Sequence, residues 1–404
     1  MLSFPKGGLK GSAEDIVRYV EDRVLELQAD GKKGSRHGYY SGRGAPSEWG
    51  GALAAAMGLS GPVDPKILKD LLEGRAPDGT AFAKKSRKRR MAKDLTWSAP
   101  KSCSIAANAG DERLRRLLLE GHDRAVRRSM RFVEERYVTA RYGKGGKEVE
   151  RTGQALWSAF RHEESRAADG VATMQIHTHG LLLNVTKGRN GELRALDIDF
   201  GQDGVKLAGA VYQSEYAAFL REHGVALRQA ENGAGGWELA CITDDQITEC
   251  SPRSAKIVAE LAKQGLDRKT ATAQQKVAAN LATRESKSGQ SEDELRWEWR
   301  ALCRDLNVDV SNAYKTPDQD LTPDPEQEPA PTAAASLKYA TDHLSERESV
   351  INEQSTLLHA LRHRPLGGIT IDNLTAEVDA ARDAGALIDA AKAPPHSLGA
   401  PLPE

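Results

Sequence analysis

The chain has 404 residues, in which 57 Lys and Arg nearly balance 58 Asp and Glu, and its mean hydropathy is −0.55. No apolar run reaches the ~18 residues that a membrane helix needs, and the opening MLSFPKGGLKGSAED has no signal-peptide core, so a soluble, cytoplasmic protein without membrane insertion is expected. Cys103, Cys241, Cys250 and Cys303 form no CxxC pair, which argues against a cysteine zinc site or a disulfide framework, and the net charge of −1 divides into +7 over residues 1–312 and −8 over 313–404, a basic body with an acidic tail that suits nucleic acid.

In chain order, GSAEDIVRYVEDRVLEL predicts a helix capped by Ser12, and RHGYYSGRGAPSEWGG a glycine-rich loop. A basic run, KKSRKRRMAK, leads into a short strand at residues 94–98. Residues 111–137 predict a long helix. Its Arg124, Arg127, Arg128 and Arg131 are interleaved with acidic residues, as on a surface helix. QALWSAFRH and VATMQIHTHGLLLNVT read as two strands joined by a charged loop at about 163–171, with Glu163 and Glu164 as solvated loop charges. DGVKLAGAVYQSEYAAFLREHG is helical, as is the stretch from about 251 to 306, where Ser291 and Glu294 make a capping box. Strands and helices without strict alternation indicate an α+β fold with an antiparallel sheet. TPDQDLTPDPEQEPAPTAAAS reads as a semi-extended linker, so three parts are expected: a body over 1–312, a linker over 313–336 and a small helical part over 337–404.

The histidines carry the chemical signal. In a strand, residues i and i+2 share a face, so His177 and His179 leave the sheet side by side with Gln175, Leu181 and Leu183. An antiparallel neighbour ending in AFRH brings His162 across from them. Three imidazoles facing one point are a metal geometry with positions left open. No acidic residue shares that strand face, which weakens a carboxylate-bearing oxygenase site.

SEWGGALAAAMGLSG, DLTWSAPKS, FRHEESR, IHTHGLLLNVT, GELRAL and GAVYQSEYAAFL together resemble the relaxase domain of MobF-type conjugative relaxases, in the HUH endonuclease superfamily, over about residues 1–312. The resemblance implies a palm-like antiparallel sheet with flanking helices and a C-terminal helical clasp. It also implies site- and strand-specific nicking and rejoining of DNA at a plasmid transfer origin, through a 5′-phosphotyrosine. The cofactor implied is a divalent ion on His162, His177 and His179, Mg or Mn first, with Zn or Ni also compatible. The partners implied are single-stranded DNA with an origin hairpin, relaxosome accessory proteins and a coupling protein.

The family carries two tyrosine pairs near its N-terminus. RYVED matches the first with Tyr19, Val20 standing in place of its second tyrosine; GYYSG matches the other with Tyr39 and Tyr40, after a longer gap than usual. Tyr19 is expected to cleave first and Tyr39 to serve a second transfer, ahead of Tyr40. Read without the resemblance, Tyr19 is a core residue beside Ile16, Val20 and Val24. Asp94 stands where the family has an acidic residue, either to hold a histidine tautomer or to accept the tyrosine proton. Lys84, Lys85, Arg87, Lys88, Arg89 and Arg90 are expected to neutralise phosphates. The tail resembles the start of a helicase region, yet no GxxxxGK[ST] occurs, so no ATP is expected. It is expected to touch the body little. The alternatives are a non-catalytic DNA-binding accessory protein and a metal-dependent oxygenase.

Overall fold

The computed structural model describes residues 2–3, 9, 12–21, 46–83, 89–168, 171–197, 201–230, 236–268, 270–283, 285, 290–313 and 330–389. In chain order the first elements are β1 (Leu2–Ser3), α1 (Ala13–Glu21), β2 (Ser47–Gly50), α2 (Ala52–Ala56), α3 (Pro65–Glu73) and β3 (Ala92–Ser98). They are followed by α4 (Lys101–Ala109), α5 (Glu112–Tyr137), β4 (Thr139–Tyr142), β5 (Glu148–Arg151), β6 (Trp157–Ala168), β7 (Val171–Leu183), β8 (Thr186–Lys187) and β9 (Leu193–Arg194). Next come α6 (Gly201–Glu222), β10 (Leu227–Gln229), β11 (Trp237–Leu239), α7 (Asp244–Glu249), α8 (Pro252–Ala262), α9 (Ala273–Ala282) and α10 (Glu292–Asp305). Three further helices, α11 (Ala333–Ser345), α12 (Glu353–Arg362) and α13 (Ile371–Asp383), close the described chain. None of the described helices is long and apolar enough to cross a membrane.

β1, β3, β7, β6 and β2 form, in that order, a fully antiparallel sheet. Its two faces divide the core. Leu95, Trp97, Trp157, Ala159, Met174, Ile176 and Leu182 pack on the side of α4, α5 and α6. Ala92, Phe160, Leu181 and Leu183 meet Ile16, Val20, Leu53, Leu68 and Leu72 from α1, α2 and α3 on the other. Gly180 lets the larger core close on β7, because a Cβ there would lie 2.6 Å from the Trp97 ring.

α5 starts where the Asp111 carboxylate accepts from the Leu114 amide. It is not a plain surface helix: Leu114, Leu118, His122, Val126, Met130 and Val133 make one fully buried stripe. Its arginines are engaged, Arg127 with Glu48 and Arg128 with Asp372.

Two further expectations are corrected. The residues read as a charged loop at 163–168 continue β6, with register shifts after His162 and Glu164. Glu163 is not a solvated loop charge, because it pairs with the buried Arg115. The tail also touches the body extensively. Leu337, Leu357, Leu361, Ile371 and Leu374 join the same apolar cluster as Trp97 and Phe219. Arg136 Nη1 donates to Glu353 at 2.6 Å, and Arg221 Nη1 to the Leu366 carbonyl at 3.0 Å. α11–α13 therefore lie on α5 and α6 as a further layer, away from the face carrying α1.

Candidate active site

The smaller core covers only part of its sheet face. One row across β3, β7 and β6 reads Thr96, His179, Phe160, and the next reads Ser98, His177, His162. Register alone thus puts His162 directly opposite His177 and diagonal to His179. The register shift just after His162 is the kind of bulge that re-aims a side chain. One ligand nitrogen from each ring lies within 4.8 Å of the other two, and the ring centroids are 5.2–5.4 Å apart.

Hydrogen bonds select the tautomers. His177 Nδ1 donates to the Gln175 carbonyl at 2.9 Å. His179 Nδ1 donates to the Asp94 carboxylate, 2.9 Å from Oδ2 and 3.1 Å from Oδ1. Both rings, when neutral, therefore carry the lone pair on Nε2. His162 Nε2 donates to the Val20 carbonyl at 3.0 Å, which puts its lone pair on Nδ1. Close-set, partly buried imidazoles with one nitrogen each anchored by an acceptor fit a divalent ion, since anchoring fixes ring orientation.

α1 lies over this face. Tyr19 turns towards the histidines and Val20 into the smaller core, where it is fully buried. The Tyr19 ring meets His179 edge-on at 5.2 Å, and its hydroxyl donates to Asp94 Oδ2 at 3.4 Å. Tyr19 is 39% exposed, so the phenol is accessible and not a core residue. Asp94 is buried and receives both the imidazole and the phenol.

Of the remaining sequence candidates, Tyr39, Tyr40, Lys84, Lys85, Arg87 and Lys88 lie outside the described residues. Arg89 is turned inward: its guanidinium donates to the Leu72 carbonyl at 2.9 Å and lies over the Phe82 ring, and burial lowers its pKa. Arg90 is exposed.

Several polar groups escaped the sequence reading. Thr96 Oγ1 lies 3.2 Å from Asp94 Oδ1 and 3.1 Å from His179 Nδ1. Its place two residues after Asp94, on the same strand face, is the signal that was available. Behind the sheet, Thr178 and Tyr212 sandwich the fully buried His122, at 2.8 Å from Nε2 and 2.7 Å from Nδ1. Burial holds His122 well below the ordinary histidine range. Next to it Asp123, paired with Arg161, is pushed up by burial to about 6. Nothing local in EGHDR distinguishes a buried histidine.

The family model described as TrwC relaxase matches residues 13–306. A curated relative from Escherichia coli, multifunctional conjugation protein TraI, is 29% identical over 385 residues, or 89% of this chain. The chain spans about a fifth of the length of the curated relatives it matches (21% in each case). Among solved structures, conjugative relaxase TrwC in a metal-bound complex with OriT DNA is 35% identical with a TM-score of 0.63, covering 77% of this chain and 100% of that one. TrwC bound to a 27-mer DNA comprising the recognition hairpin and the cleavage site is 33% identical, with the same TM-score and coverage.

Proposed function

The chain belongs to the TrwC relaxase family, and from that premise we propose that it nicks and rejoins one DNA strand at a transfer origin in conjugation, with Tyr19 as the first nucleophile. The observation that carries this reading is the convergence of Tyr19, Asp94 and three histidines on one open sheet face.

A phenol has a pKa of about 10 and is a poor nucleophile at neutral pH. Asp94 Oδ2 is placed to take the Tyr19 proton as the oxygen attacks phosphorus. The 3.4 Å separation is long for a hydrogen bond, as catalytic contacts often are before substrate binds. Attack links the 5′-phosphate to Tyr19 and releases a 3′-hydroxyl; the reverse reaction restores the phosphodiester without an external energy source. His162, His177 and His179 would hold a divalent ion, which when bound supplies positive charge to the non-bridging phosphate oxygens. An all-imidazole donor set moves the expected ion from Mg towards Mn, Zn or Ni, because Mg prefers oxygen ligands.

Asp94 meets His179 at Nδ1, on the side away from its metal-facing nitrogen. That is a positioning contact, so the described residues do not form the two-histidine, one-carboxylate triad of an oxygenase. The partners we propose are single-stranded DNA with an origin hairpin, gripped in part by Lys84, Lys85, Arg87, Lys88 and Arg90, together with accessory proteins and a coupling protein.

Incubation of the protein with an origin-derived oligonucleotide, with Mn²⁺ or with chelator, tests the reading. A metal-dependent covalent adduct is expected, with peptide mapping placing the nucleotide on Tyr19 and Tyr19→Phe abolishing it. Binding without adduct under every ion would leave an accessory protein, and adduct on Tyr39 or Tyr40 would reverse the assignment.

A further inference from the structure

We infer that Thr96 is a positioning residue of this site: its hydroxyl sets the plane of the Asp94 carboxylate, so that Oδ1 is held by Thr96 beside its contact with His179 while Oδ2 stays turned to His179 and Tyr19. The inference rests on the metal-dependent nicking proposed above.

The sheet register gives the reason. Thr96 stands directly across from His179, whereas Asp94 stands across from Leu181. Directly opposed side chains are about 4.5–5.5 Å apart at Cβ and diagonal ones about 7–8 Å. Asp94 must therefore reach along the strand to His179, and a carboxylate at the end of such a reach is free to turn about its last bond. Three groups stop that rotation. Thr96 Oγ1 lies 3.2 Å from Oδ1, His179 Nδ1 lies 2.9 Å from Oδ2 and 3.1 Å from Oδ1, and the Tyr19 hydroxyl lies 3.4 Å from Oδ2. Only the Thr96 contact belongs to a group that neither carries the proposed metal nor reacts. A threonine hydroxyl has one proton to give, and Asp94 Oδ1 is its charged acceptor; Thr96 Oγ1 itself accepts a share of the His179 Nδ1 proton at 3.1 Å. Without the hydroxyl, Oδ1 keeps only its 3.1 Å contact with the imidazole, and the carboxylate is free to turn Oδ2 away from the phenol. Tyr19 then loses its acceptor.

The hydroxyl and the shape of threonine are separable. Thr96→Val keeps the branched outline and suits a strand at least as well, but removes the donor. Thr96→Ser keeps the donor and removes a methyl. A role in packing alone predicts that Val matches wild type and Ser is the poorer residue. The positioning role predicts the opposite order. Two readouts decide it: the single-turnover nicking rate on an origin-derived oligonucleotide, and Zn²⁺ affinity from competition with a chromogenic chelator, which needs no DNA. Thr96→Val is expected to nick at least about tenfold more slowly and to bind Zn²⁺ about tenfold more weakly, the lower end of what loss of an outer partner of a ligand histidine does. Thr96→Ser is expected to stay within about threefold of wild type in both. Wild-type values in Thr96→Val, or equal losses in Val and Ser, overturn the inference. A wild-type protein that neither binds Zn²⁺ nor nicks overturns the proposed function itself, and this inference with it.

Discussion

Removing the tail should cost the body much of its stability, although the acidic, proline-rich stretch before it reads as a boundary. Leu361 on α12 is 2% exposed, within the cluster that reaches the sheet at Trp97. Leu361→Ala would leave a cavity in close-packed surroundings, a change that costs about 2–5 kcal/mol. Native stabilities are only about 5–15 kcal/mol, so this one side chain carries a large share. Truncation after residue 313 removes Leu361 together with Leu357, Ile371 and Leu374, all buried, and uncovers α5 and α6 beneath them. It also removes Asp372 from Arg128 and Glu353 from Arg136. Those pairs are partly exposed and add at most ~1 kcal/mol each, so apolar burial decides the outcome. Urea unfolding followed by circular dichroism measures it. The midpoint should fall in Leu361→Ala with little change in slope, and the truncated chain should unfold at far lower urea or fail to fold. A truncated chain with the same midpoint as the full chain would refute the reasoning, because the three helices would then ride on the body without supporting it.

Replacing His177 and His179 together by Ala should abolish divalent-ion binding and nicking, while single-strand affinity, read by anisotropy at fixed salt, should change by less than about threefold because phosphate contacts dominate it; retained metal-dependent nicking would remove the site. The pair behind the sheet makes a pH prediction. Below about pH 6.5 the unfolded chain protonates His122 while burial keeps the folded one neutral, so this group costs about 1.4 kcal/mol of stability per unit of falling pH. Asp123 acts with the opposite sign: between about pH 6 and pH 4 its folded carboxyl, raised by burial to about 6, holds a proton that the unfolded one has released, so it adds stability as pH falls. The two slopes oppose each other over that window. Asp123→Asn should therefore show a steeper fall in melting temperature from pH 6.5 to 5 than wild type, and equal slopes would mean that the folded chain does not raise the Asp123 carboxyl.

The candidate site was legible where its geometry is local. His177 and His179 share a face by strand alternation, and His162 meets them because one hairpin joins the two strands. Asp94 is reached through the family resemblance instead, and strand alternation from Asp94 leads to Thr96. What stayed hidden depends on partners distant in sequence. Glu163 looks like a loop charge until Arg115, 48 residues away, is brought against it. His122 looks like any helical histidine until Thr178 and Tyr212 close on it. The tail looks detached because linker composition says nothing about whether Leu357 and Leu361 find a complementary surface on α6.

Val20 shows how far a local departure can be explained once the packing is known. Successive residues on a helix point about 100° apart, so α1 can turn one of residues 19 and 20 to the histidines, not both. Tyr19 takes that place and Val20 fills the cluster with Ile16, Leu68 and Leu72. A tyrosine at 20 would have to bury its hydroxyl there without a partner, at about 1–3 kcal/mol, or rotate the helix and withdraw Tyr19 from Asp94. The Val20 carbonyl also anchors His162, so such a rotation would disturb the proposed metal site as well. On this backbone α1 offers Tyr19 alone, so the second nucleophile that the family resemblance implies would come from outside α1, with Tyr39 proposed ahead of Tyr40.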